Sequence, residues 1–165
     1  MALTLLPEGA EVFTASSVTV EAIGLTKAIE ESGRYIATRP QLIAMDPATQ
    51  MSEMRRLGAA PEWVVGSVHA LTVDGDLVIA SASGSQLASM AYGAQHVLFV
   101  IGAQKIVPDL DTAMRRIRDY SLPLEDARAR KAYAMGSAVH NVLTLHGDFE
   151  EGRIHVLLLD EPLGY

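Results

Sequence analysis

The chain has no cysteine in its 165 residues, a single tryptophan within an aromatic content of only 5%, and no long apolar run. Without thiols it forms no disulfide and no thiolate nucleophile, and it holds neither cysteine-ligated zinc nor an iron–sulfur cluster of its own. The most apolar stretch, Val97 to Ala103, falls far short of the roughly 20 residues that span a bilayer, so no membrane attachment is expected. Positive charge is also scarce. Against 20 acidic residues stand 13 basic ones, a net charge of −7, which leaves no electrostatic basis for non-specific binding to nucleic acid or anionic lipid. The opening Met1-Ala2-Leu3-Thr4-Leu5-Leu6-Pro7-Glu8 lacks the basic leader and small-residue cleavage pattern of a secretory signal. A cytoplasmic location is the resulting expectation.

With 49% hydrophobic and 20% charged residues, the composition is that of a chain that folds, and the length suits one domain over 1–165. Glu11 to Thr14 reads as a short buried strand, followed by a polar turn and a helical segment to about Ser32 that Gly24 interrupts and Gly33 ends. A second helix is expected from Pro47 to about Leu57, with Asp46 as cap, Pro47 at the first helical position and Gly58 closing it. Val64 to Thr72 and Leu77 to Ala80 read as two strands joined by a tight hairpin at Asp74-Gly75, both of whose central residues would take positive φ. A helix to Tyr92, a buried strand from His96 to Ile101, a helix from Asp109 to Tyr120, a further helix from Pro123 to about Met135, and two closing strands, Asn141–Leu145 and Ile154–Leu159, complete the pattern. Strands alternating with amphipathic helices imply an α/β fold: a mostly parallel sheet flanked by helices, with an attached antiparallel hairpin.

Three of these strands run into small polar loops: Ser16-Ser17-Val18-Thr19, Ser81-Ala82-Ser83-Gly84-Ser85-Gln86 and Gly102-Ala103-Gln104-Lys105. In open parallel sheets such loops gather at the strands' carboxyl ends, where ligands bind. A shared anion crevice follows as an expectation, with Ser17, Thr19, Ser83 and Ser85 donating hydroxyl hydrogen bonds, Gly84 letting the backbone come close, the amides of Gln86 and Gln104 in the same loops, and Lys105 supplying positive charge. The alternative is that the serines only cap helices and Lys105 lies on the surface. His69, in the strand-like Gly66-Ser67-Val68-His69-Ala70-Leu71-Thr72, points either into the core or toward the binding edge. Arg115, Arg116 and Arg118 are explained by the helix dipole and solvation. Glu161 could serve as a general base, against its simpler reading as an exposed terminal carboxylate.

Several chemistries are excluded by pattern. Ser83-Gly84-Ser85 lacks the flanking glycines of a nucleophile elbow, no Walker loop is present, and no G-x-G-x-x-G is there to hold NAD or FAD in the conventional way. None of the five histidines pairs with another at the i, i+4 spacing of a helical zinc site. No cofactor and no metal are therefore expected on the chain itself.

The blocks Gly9-Ala10-Glu11-Val12-Phe13 with Ser16 to Leu25, Gly66 to Thr72, Ala80 to Leu87, Val100 to Val107 and the closing Glu161-Pro162-Leu163-Gly164-Tyr165 resemble, in order and over nearly the whole chain, the LUD family of lactate-utilization proteins, protein C type. The resemblance implies the fold shared by glucosamine-phosphate isomerases, ribose-phosphate isomerases and CoA transferases, and a part in oxidising lactate to pyruvate beside separate iron–sulfur partner proteins. It supplies no catalytic residue. Longer relatives carry additional N-terminal helical sequence, so the assembly surface of this chain is expected to differ. Three readings stand at this point: an accessory subunit of lactate oxidation that binds a small anionic metabolite, a stand-alone enzyme on a phosphorylated or CoA-linked metabolite, and a non-catalytic homo-oligomeric domain.

Overall fold

The computed structural model describes residues 2–165. Nine strands of these described residues form two sheets. The first is five-stranded and parallel, in the order β2-β1-β3-β6-β9, from Ile36–Ala37, Glu11–Thr14, Trp63–Gly66, His96–Gly102 and Ile154–Leu159. The second is mixed, in the order β7-β4-β5-β8, from Ile106–Val107, Ala70–Thr72, Leu77–Ser81 and Asn141–Leu145. In it β5 lies antiparallel to both β4 and β8, whereas β4 and β7 are parallel. The architecture is thus α/β, with a parallel sheet and an antiparallel part attached.

Strand alternation builds the layers. On the first sheet Val12, Val65, Leu98 and Val100 face one way, onto Val20 of helix α2 (Val18–Ala22) and Leu25 and Ile29 of α3 (Leu25–Glu30). Their neighbours Phe13, Val64, Val97, Phe99 and Ile101 face the other way and meet Leu77 and Ile79 of the second sheet. The far face of that sheet, Ala70, Val78 and Ala80, packs on Ala113 and Ile117. Strand β6 is buried on both sides, which is why it reads as an unbroken apolar run rather than an alternating one. No helix of the described residues is long and apolar enough to cross a membrane.

Several elements differ from the sequence reading. The stretch Val64 to Thr72 is not one strand: it is split by Ser67-Val68-His69, which carries the chain from the first sheet into the second. The hairpin is present, but its loop has three residues. Thr72 and Asp76 pair through Thr72 N–H to Asp76 O, and only Gly75 takes positive φ, at 99°, the pattern of a turn closed by a glycine bulge rather than of a two-residue turn. The two closing strands do not pair with each other, for β8 edges the second sheet and β9 the first.

Among the helices, α1 (Ala2–Leu5) and α4 (Thr38–Ala44) were not foreseen. Helix α5 (Pro47–Ala59) has the expected Asp46 cap, which accepts from Ala48 N–H, but runs through Gly58, buried against Leu42 of α4. The helix expected before Tyr92 shrinks to a π-helical turn, Ser89–Gly93. Its carbonyls at Ser89 and Met90, together with Ala94 O, accept from the buried guanidinium of Arg153, which also pairs with Asp148. The two helices expected around Pro123 are joined. Helix α6 (Leu110–Arg116) passes through a π turn, Ile117–Ser121, directly into α7 (Leu122–Tyr133), and the widened turn accommodates a proline that can supply no N–H to the preceding turn.

Candidate functional site

The seam where the chain changes sheets opens into a cavity of about 320 Å³. Its wall includes Ser17 and Thr19 after β1, Ser67 and His69 at the crossover, Ser83, Ser85 and Gln86 after β5, and Lys105 after β6. Glu125 and Arg128 of α7 close it from the helical side, and Tyr165 reaches it from the chain's last residues. All three polar loops therefore contribute to one cavity, but not with every candidate. Gly84 and Gln104 do not line it. Gly84 N–H donates to Ser81 Oγ within its own loop, and Gln104 Nε2 donates to the carbonyls of Leu163 and Gly164 at 2.8 and 3.1 Å, tying down the terminal segment.

Lys105 sits at the centre. It ends the short 3₁₀ turn Ala103–Lys105 behind β6 and is 2% exposed. Its Nζ donates to Thr19 Oγ1 at 2.9 Å, Ser67 Oγ at 3.1 Å and Val68 O at 2.9 Å. These partners are neutral oxygens. Among the described residues no carboxylate pairs with it. Burial, reinforced by the nearby Arg116 guanidinium, holds its ammonium down to about 7 from the usual 10.5, because a desolvated cation favours losing its proton.

His69 is fixed in one protonation state by the fold. Ala80 N–H donates to its Nδ1 at 3.1 Å, so the proton of the neutral ring resides on Nε2. Burial first, then the charges of Lys105 and Arg116, push its pKa down to about 4. It is a neutral hydrogen-bond donor throughout the physiological range. Its carbonyl accepts from Arg116, at 2.7 Å, and the same Arg116 nitrogen donates to Ser121 Oγ at 2.9 Å. Arg116 does lie in the last turn of α6, where the helix dipole favours it, but it also ties that helix to the crossover. The π turn that begins at Ile117 sets Arg116 against the crossover, with its guanidinium 5.0 Å from the centre of the Tyr120 ring and, among the described residues, no carboxylate partner.

The opposite wall is self-compensated. Arg128 donates twice to Glu125, at 2.7 and 2.8 Å, and the Tyr165 hydroxyl donates to the same carboxylate at 2.6 Å. Those hydrogen bonds hold Glu125 below the usual carboxylate range, whereas burial and the Glu125 bond push the Tyr165 phenol up to about 12. Ser17 does both things expected of it: its Oγ caps α2 by accepting from Val20 N–H, and it lines the cavity. Ser83 and Ser85 stand exposed at the mouth, bonded to each other at 3.0 Å. Glu161 is exposed and outside the wall. No group of three or more His, Cys, Asp or Glu gathers to hold a metal among the described residues.

Against this geometry stands one comparison. A family model described as the LUD domain matches residues 1–159 of the chain. The chain belongs to the LUD-domain family. No curated protein matches it. Every wall residue of this LUD domain except Tyr165 lies within the matched span. Tyr165, Glu125 and Arg128 were not legible as wall residues, nor was Arg116 as the support of the His69 carbonyl. An i, i+3 Glu–Arg pair on an amphipathic helix is an ordinary surface feature, and nothing local to Tyr165 announces that it folds back across the sheet.

Proposed function

We propose that this LUD domain binds a small anionic metabolite in the seam cavity and serves as an accessory subunit of lactate utilization, beside iron–sulfur partner proteins that carry the electrons. The observation that carries this reading is charge. In a chain of net charge −7, the cavity wall holds Lys105, buried and without a carboxylate partner among the described residues, beside one neutralised Arg128–Glu125 pair and the exposed carboxylate of Glu21; Arg116 lies outside the wall, bonded to the His69 carbonyl. An unpaired buried cation is costly. A bound carboxylate supplies the missing counter-ion, with the Nε2–H of His69 and the hydroxyls of Ser17, Ser83 and Ser85 as neutral donors around it. The 2-hydroxy or 2-oxo acid that family membership suggests has that chemistry. Absence of cysteine suits a subunit that leaves redox clusters to its partners. The same reading has it working in the cytoplasm as a homo-oligomer, with edge strand β9, whose Val156 and Leu158 are about half exposed, as its most apolar open edge.

Thermal-shift and calorimetric titrations with lactate and pyruvate test the binding. Either acid should raise the melting temperature of the wild type, and the rise should vanish in Lys105→Met. No shift with any small anion would remove the reading. Cavity size favours one alternative. At about 320 Å³ it falls in the range of roughly 300–1,000 Å³ of pockets that enclose drug-sized ligands, more room than a three-carbon acid fills. Sugar phosphates and CoA therefore belong in the same titration, and tighter binding of one of them, with turnover by the pure protein, would replace the accessory role by a stand-alone enzyme.

A further inference from the structure

Lys105 also gives the cavity a covalent capacity, which rests on the anion-binding reading above and narrows it to one substrate class. We propose that Lys105 is a nucleophile whose Nζ condenses reversibly with the carbonyl carbon of a 2-oxo acid seated in the cavity. Lysine becomes nucleophilic when it is desolvated or placed beside a second cation, and both conditions are met. Lys105 is 2% exposed yet lines the cavity, and Arg116, like it without a carboxylate partner among the described residues, stands near enough to disfavour a second positive charge. With a pKa of about 7, about half of the amine carries a free electron pair at neutral pH.

The three oxygens around Nζ suit the change of bonding. Two are hydroxyls, Thr19 Oγ1 and Ser67 Oγ, and a hydroxyl can rotate between accepting and donating. The third, Val68 O, can only accept and keeps the single N–H of the product.

The step balances without any oxidant or reductant. The electron pair of the neutral amine forms the N–C bond while the C=O π pair moves onto oxygen, which takes up the proton that nitrogen gives away. The resulting hydroxyl leaves as water on accepting one proton from solvent, and the nitrogen pair closes the C=N bond as a protonated imine. Loss of that proton gives the neutral imine, so the sum is amine plus carbonyl to imine plus water. The protonated imine is again a buried cation, but the substrate's carboxylate, on the adjacent carbon, is its counter-ion. Covalent capture thus provides what the fold withholds from Lys105. A 2-hydroxy acid has no carbonyl and can only bind, so the site separates the oxidised from the reduced member of such a pair.

Reductive trapping tests this on the unmodified protein. The chain is incubated with pyruvate and sodium cyanoborohydride between pH 6 and 8, and its peptides are mapped by mass. Lys27 and Lys131 are the only other lysines, and both are exposed, so they serve as internal controls. The expected result is one reduced pyruvyl group on Lys105, formed about tenfold faster at pH 8 than at pH 6 because its pKa is about 7. An ordinary exposed lysine would instead gain about a hundredfold over that range. Lactate should raise the melting temperature and leave no adduct. Modification confined to Lys27 and Lys131, or none, while pyruvate still shifts the melting temperature, overturns the nucleophile and leaves the anion site standing. Absence of both adduct and thermal shift overturns the two together.

Discussion

Replacing Lys105 by methionine should stabilise the protein at low pH and progressively less as pH rises. In the unfolded chain the ammonium has its ordinary pKa of 10.5, and in the fold it falls to about 7. Between those values the unfolded state binds more protons than the native state, so stability rises with pH across the window. Below about pH 7 the full penalty applies, on the order of 5 kcal/mol. From pH 7 to 9.5 the wild type should recover about 3 kcal/mol of it. Lys105→Met has nearly the same length and no charge, so it escapes that penalty at every pH. It leaves Val68 O, Thr19 Oγ1 and Ser67 Oγ without their donor, at about 1–3 kcal/mol. The variant should therefore be the more stable protein at pH 6, by about 2–4 kcal/mol, and should lose most or all of that lead by pH 9.5. Urea unfolding at several pH values, read by the fluorescence of Trp63, measures both slopes. A wild-type stability that is flat over this range, or a Lys105→Met slope as steep as the wild type's, would refute the claim that this amine is buried without a counter-charge.

His69 makes a parallel prediction at lower pH. With 6.5 in the unfolded chain and about 4 in the fold, its contribution to stability falls as pH drops through that interval, by up to about 3 kcal/mol, and His69→Phe should flatten that part of the acid-unfolding curve. Tyr165→Phe should delete a phenol that titrates near 12, seen as a loss of absorbance change around that pH in ultraviolet difference titration, and lower stability by about 1–2 kcal/mol through its bond to the Glu125 carboxylate. Gly93→Ala should abolish folding at the π turn, because a Cβ there would lie 1.8 Å from Ala59 O; a soluble variant with wild-type circular dichroism would contradict the packing described. Arg153→Ala should cost about 3–5 kcal/mol in chemical denaturation, since it removes a buried cation that serves three backbone carbonyls and leaves Asp148 unpaired.

Long, two-sided burial and strong end signals were legible in the sequence. Strand β6 and the Asp46-Pro47 start of α5 are where the residues place them, because an unbroken apolar run and a capped helix end are decided by local chemistry. The division into two sheets was not legible. Val64 to Thr72 looks continuous because Ser67-Val68-His69 has nothing of a turn in it, and only the pairing of Val64 with β6 and of Ala70 with β5 pulls the segment apart. The same crossover explains the unequal outcome at the site. Ser17, Thr19, Ser83, Ser85, Gln86 and Lys105 follow strand ends and could be found by that rule. Arg116, Glu125 and Arg128 come from a helix that merely packs over the second sheet, and their part is settled by tertiary placement alone.

The terminal segment carries a practical corollary for anyone handling this protein. Leu163 accepts from Thr19 and Gln104, and the Tyr165 ring forms part of the cavity wall. Ligand screens therefore need a protein in which residues 161–165 are intact, because a form trimmed before Tyr165 would present a cavity that lacks part of its wall.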